Sequence, residues 1–134
     1  GERYGGFSEA APWLSMSARF RKEITVEAQQ KDKDSILAFY KKLIAMRKMY
    51  PVIAEGEISF LETGTDRVLA YRRKLGEQQI AVFCNLDGEK HTVKADGAWR
   101  GDPVLLENYE ARQMDPEGET YTMEPYEFMV LGRV

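Results

Sequence analysis

At Pro51 the apolar residues of this chain change period from 3.6 to 2, and that switch constrains the fold more than any other feature. Ahead of it, Ile36, Leu37, Tyr40, Leu43, Ile44 and Arg47 recur at the spacing of one helical face. Asp32, Asp34 and Ser35 offer side-chain oxygens to the free amide hydrogens of a first turn, and Arg47 and Lys48 suit the carbonyl end. Pro51 disfavours helical geometry at Tyr50. The spacing therefore predicts one amphipathic helix over about 35–49. Phe39 and Met46 widen its apolar surface, so the helix needs cover on more than one side.

After Pro51 the chain reads as short strands at Glu57–Glu62, Val68–Arg73, Ile80–Asn85, His91–Val93, Val104–Leu106 and Tyr126–Leu131. Turn signals separate them at Thr63-Gly64-Thr65-Asp66, Leu75-Gly76-Glu77, Asp87-Gly88, Asp96-Gly97 and Asp115-Pro116-Glu117-Gly118. Strands joined by tight turns with no helix between them cannot form a parallel sheet. The expectation is a mainly β fold, an antiparallel two-sheet β-sandwich over 51–134, with Tyr71, Phe83, Tyr126 and Phe128 in its core. The first 30 residues show no sustained period and read as an irregular loop carrying Phe7, Trp13, Leu14 and Phe20. Loops of that length are usually functional.

A (β/α)8 barrel needs roughly 250 residues, so 134 residues cannot close one alone. The net charge of −3 gives no global attraction to nucleic acid or an anionic bilayer. Residues 19–50 carry nine basic and four acidic side chains, a basic stretch interleaved with apolar residues that reads as a solvated helix face. The single Cys84 permits no intrachain disulfide, and no leader or apolar stretch of membrane-spanning length occurs, so a cytoplasmic location is expected. The opening Gly-Glu-Arg-Tyr, without Met, reads as a processed or excised segment.

The residues that carry chemistry are sparse. His91 is the one histidine, no Gly-x-Ser-x-Gly elbow accompanies it, and it reads as a surface strand residue. One His and one Cys make no zinc set, and Asp115–Glu119 lacks the alternating oxygen ligands of a calcium loop. No glycine-rich phosphate cradle is present. Among the carboxylates, Asp32 and Asp34 suit a helix start, while Glu117, Glu119, Glu124 and Glu127 fall in or beside a C-terminal hairpin where solvation is the default. No catalytic residue, metal ligand or cofactor is predicted. Trp13 and Phe7 could stack on a sugar ring or plug a groove between elements.

Three segments nonetheless form an ordered pattern: Gly6-Phe7 with Pro12-Trp13, then Glu23–Gln29, then Asp34–Lys48. In order and spacing they resemble the alpha-glucosidase branch of the alpha-amylase family, of the oligo-1,6-glucosidase and trehalose-6-phosphate hydrolase type. Thr25 departs from the family's usual Asn. Ile80–Leu86 resembles its hydrophobic strand ending in Asn, and Pro125-Tyr126-Glu127 the start of its last strand. The resemblance implies that residues 1–50 are a barrel remnant, the loop after the eighth strand plus the eighth helix, and that 51–134 are the C-terminal sandwich. It implies further that the catalytic Asp, Glu and Asp lie upstream, so this stretch is catalytically silent. Phe7 and Trp13 would border the sugar site of the intact enzyme only.

Two functions follow as expectations. In the first, the sandwich stabilises the rest of the parent barrel, and the chain by itself folds its helix onto the sandwich or self-associates through it. In the second, the sandwich is a free carbohydrate-binding module, for which Trp99, Tyr109 and Tyr121 are the aromatics outside the expected core.

Overall fold

The computed structural model describes residues 4, 8–14, 24–94, 101–109 and 120–134. The chain divides into two units, Gly1–Met49 and Tyr50–Val134.

Among its described residues the first unit holds two helices, α1 (Val26–Lys31) and α2 (Ile36–Met49). All but the last residue of α1 lie in the stretch expected to be irregular. Thr25 makes them helical: it is extended, and its Oγ1 accepts from the Ala28 amide at 3.1 Å. Lys31 pairs with Glu27 one turn back at 2.9 Å. The start of α2 is built from neighbouring side chains. Ser35 Oγ accepts from the Ala38 amide at 3.2 Å, and Gln29 Oε1 of α1 accepts from the Leu37 amide at 2.9 Å. Asp32 acts one step earlier, its Oδ1 accepting from the Asp34 amide. Arg47 and Lys48 occupy the last turn of α2, as their charge favours.

The second unit opens with a turn of helix the sequence reading missed, α3 (Val52–Glu55). Pro51 stops α2 yet is tolerated at the start of a new helix, where its missing N–H would have had no partner. Among the described residues seven strands follow: β1 (Glu57–Phe60), β2 (Val68–Leu75), β3 (Gln78–Asn85), β4 (His91–Lys94), β5 (Val104–Glu107), β6 (Thr120–Met123) and β7 (Phe128–Arg133). They form a five-stranded sheet ordered β1-β2-β3-β7-β5 and a two-stranded sheet β4-β6, every pairing antiparallel. The expected sandwich is present. Gly76, at φ 58, turns the β2–β3 hairpin in the left-handed region that favours glycine.

Register decides which side chains share a face. Ala70 pairs with Phe83, and Phe83 with Met129; together with Val68, Ala81 and Leu131 they form the face that meets Val93, Tyr121 and Met123 of the small sheet. On the opposite face Ile80 and Val82 pack under Val52 of α3. Arg73 anchors that helix, its guanidinium donating to the carbonyls of Ala54 and Gly56.

Phe83 lies in the core as expected, and Tyr71 and Phe128 are half-buried. Tyr126 is a correction. It is 65% exposed, has a φ of 54, and belongs to a turn that precedes β7 rather than to the strand. Tyr121, expected outside the core, is buried because β6, unforeseen as a strand, points it between the sheets.

Candidate functional site

The loop expected to border a sugar site is described over residues 8–14. Ser8 closes a local turn: its Oγ donates to the Ala10 carbonyl at 2.7 Å and accepts from the Ala10 amide at 3.2 Å. Trp13 projects from this loop with 92% of its surface exposed. Phe7 lies outside the described residues, as does Trp99.

Exposed apolar surface continues along the helices. Neither α1 nor α2 contains a buried residue, although Ile36, Tyr40, Leu43 and Ile44 lie on one face of α2. In the second unit Ile58 and Phe60 of the edge strand β1 are exposed on the face that carries α3.

Several titratable side chains are engaged within the fold. Glu127, expected to be solvated, is buried: Oε1 accepts from the Tyr121 hydroxyl and Oε2 from the Glu124 amide, each at 2.6 Å. Asp102 is buried too, accepting from Arg133 Nε at 2.5 Å and Gln79 Nε2 at 3.3 Å. His91 is half-buried rather than a bare surface residue, with Nε2 at 2.9 Å from both Asp87 oxygens. Burial pushes the Cys84 thiol up, away from the thiolate a nucleophile needs. Among the described residues no group of three or more His, Cys, Asp and Glu is placed to hold a metal ion. No described helix is long and apolar enough to cross a membrane.

The Asp87 carboxyl is held below the usual carboxylate range, first by the Glu89 amide hydrogen bond and then by His91. A depressed native value stabilises the fold fully above the unfolded value of 3.8, and that contribution is lost as the pH falls through the folded value. The advantage of the wild type over Asp87→Asn in melting temperature is accordingly expected to be full near neutrality and to disappear in acid. Equal advantages at both ends would show that the pair does not stabilise the turn.

Comparison with known proteins joins the two units to one family. Residues 1–56 match the alpha amylase catalytic domain, and residues 58–130 match the maltogenic amylase C-terminal domain. The chain belongs to the alpha-amylase family. Trehalose-6-phosphate hydrolase of Bacillus subtilis (strain 168) is 33% identical over 94% of this chain and 22% of its own length. Oligo-1,6-glucosidase of Halalkalibacterium halodurans is 31% identical over 98% of this chain and 24% of its own length. Among solved structures, trehalose-6-phosphate hydrolase of Bacillus licheniformis superposes with a TM-score of 0.80 at 26% identity, over 95% of this chain and 23% of that one. Trehalulose synthase MutB of Pseudomonas mesoacidophila MX-45 gives 0.83 at 20% identity, over the same shares, a likeness of fold alone. The chain thus spans under a quarter of the relatives it matches, and in this family it resembles the C-terminal region of alpha-glucosidases.

Proposed function

We propose that this chain is the non-catalytic C-terminal part of a cytoplasmic alpha-glucosidase-like hydrolase, and that its sandwich stabilises a (β/α)8 barrel contributed by the rest of that enzyme. On this reading residues 1–50 complete the barrel, 51–134 form the supporting domain, and Phe7 and Trp13 border the sugar site only in the intact enzyme. The parent would hydrolyse α-glucosidic bonds with two carboxylates that this stretch does not supply.

The observation that carries the proposal is the unburied state of α1 and α2. A helix with Ile36, Tyr40, Leu43 and Ile44 on one face gains stability only when something covers it, at about 25 cal/mol per Å2 of apolar surface. A barrel of neighbouring helices and strands is such a cover. The test is release of nitrophenolate from a nitrophenyl α-glucoside, by the 134-residue chain and by the longer protein encoded with an upstream barrel. Turnover by the longer protein alone is expected; authentic turnover by the purified 134-mer would overturn the proposal.

Without a barrel the same face drives self-association. The 134-residue chain is expected to sediment as concentration-dependent oligomers, and Leu43→Glu to shift it toward the monomer by placing a charge in the apolar seam. A wild-type chain that stays monomeric across the concentration range, with α2 solvated, would contradict this.

A further inference from the structure

The turn Glu124-Pro125-Tyr126-Glu127 is closed by the Glu127 amide donating to the Glu124 carbonyl at 3.1 Å. Proline stands at its second position and Tyr126, at φ 54, at its third. That is the type II arrangement, whose third position favours glycine or asparagine and is unfavourable for a bulky ring. The surroundings nevertheless fix this conformation. Asn85 Nδ2 donates to the Glu124 carbonyl, the Tyr109 hydroxyl to the Pro125 carbonyl and Asn108 Nδ2 to the Tyr126 carbonyl, at 2.8, 2.8 and 2.9 Å. The Tyr126 amide donates to the Asp87 carbonyl at 3.0 Å. Three successive carbonyls are thus held by side chains from two other segments.

What this framework holds in place is the backbone that carries an exposed ring. Tyr126 lies over Gly88, where a Cβ would come within 3.4 Å of its hydroxyl and 3.7 Å of its ring edge. It remains 65% exposed. Tyr109, 37% exposed, reaches the same turn through its hydroxyl. If the turn served only to connect β6 and β7, glycine at 126 would fit the backbone better, so the ring itself requires a reason. An aromatic face whose orientation is fixed before binding loses little entropy when a ligand stacks on it. The flanking Asp87, Lys90 and Asn108 are hydrogen-bonding groups of the kind that orient hydroxyls.

We infer that Tyr126 and Tyr109 form a binding surface for a pyranose ring of an α-linked gluco-oligosaccharide. The choice of sugar rests on the proposed α-glucoside function. It replaces the sequence-based trio of Trp99, Tyr109 and Tyr121, since Tyr121 is buried.

The test is a titration of the isotopically labelled 134-residue chain with isomaltotriose and maltotriose, followed by amide chemical shifts. Saturable shifts at Gly88, Asn108, Tyr109 and Tyr126 are expected with at least one of the two sugars. Tyr126→Gly is expected to weaken the binding at least about tenfold, with an unchanged or higher melting temperature because glycine accepts the positive φ. Tyr126→Asn, which also tolerates that conformation, should reproduce the loss. A folded wild type without saturable shifts with either sugar, or a Tyr126→Gly variant that binds undiminished, overturns the inference. Turnover of the nitrophenyl glucoside by the same chain would instead overturn the proposed function, so the two failures are distinguishable.

Discussion

Replacing Glu127 by alanine is expected to cost the sandwich about 3 kcal/mol, a large share of the stability of a domain this size. The reason lies in what the carboxylate satisfies. One oxygen accepts from Tyr121, a side chain inside the core, and the other from the Glu124 amide at the head of the last turn. Alanine removes both acceptors where water has little access, because Glu127 is 2% exposed. Glutamine keeps the volume and one oxygen, and the Tyr121 hydroxyl can rotate to accept from its amide, so Glu127→Gln is expected to cost about 1 kcal/mol. Tyr121→Phe removes one donor together with its need for a partner and should lessen the penalty of the alanine variant when the two are combined. Urea denaturation followed by circular dichroism reads all three variants. An alanine variant within about 0.5 kcal/mol of wild type would mean that water replaces the carboxylate.

Glu127 also marks where sequence reading stopped. A carboxylate two residues after a proline and beside a hairpin is solvated by default, and nothing in its neighbours along the chain announces Tyr121 across the turn. Long-range satisfaction of this kind depends on the β4–β6 pairing, which places Tyr121 opposite Val93. The alternation of Thr120, Tyr121, Thr122 and Met123 was a usable strand signal, with Tyr121 and Met123 inward and the threonines outward. It was too short to stand out between the acidic stretch ahead and Pro125 behind. The longer elements were legible for the opposite reason. α2 repeats its pattern over 14 residues and β2 spans eight, so several positions agree on one period, while the continuous apolar run Ile80–Cys84 of β3 marks a strand covered on both faces.

The short helices show the same limit from the local side. α1 has six residues and α3 four, fewer than two helical turns, and a period cannot be read from so little chain. Caps were the available evidence: Thr25 three residues before Ala28, and a proline at the head of Val52–Glu55. Trp13, exposed in the structure, was legible as an aromatic on irregular backbone. Tyr126 was not, because a strand-like neighbourhood concealed that Pro125 begins a turn and brings its ring to the surface.

Two phenylalanines in the same sheet are expected to respond in opposite ways to truncation. Phe83, 1% exposed, lies between the sheets among Ala70, Met129 and the small-sheet side chains. Phe83→Ala should cost about 4 kcal/mol, from lost transfer energy and from a cavity that strands on both sides keep from collapsing. Phe60, 73% exposed on the edge strand β1, should lose no more than about 0.5 kcal/mol as alanine in the 134-residue chain. The contrast tests the proposed function as well as the core. Phe60 and Ile58 share the sheet face carrying α3, and both are open. If the parent barrel covers that edge, Phe60→Ala becomes costly only in the longer protein, and denaturation of the two forms side by side measures the difference. Equal, negligible costs in both would leave α1 and α2 as the surfaces through which the barrel is completed and remove β1 from that role.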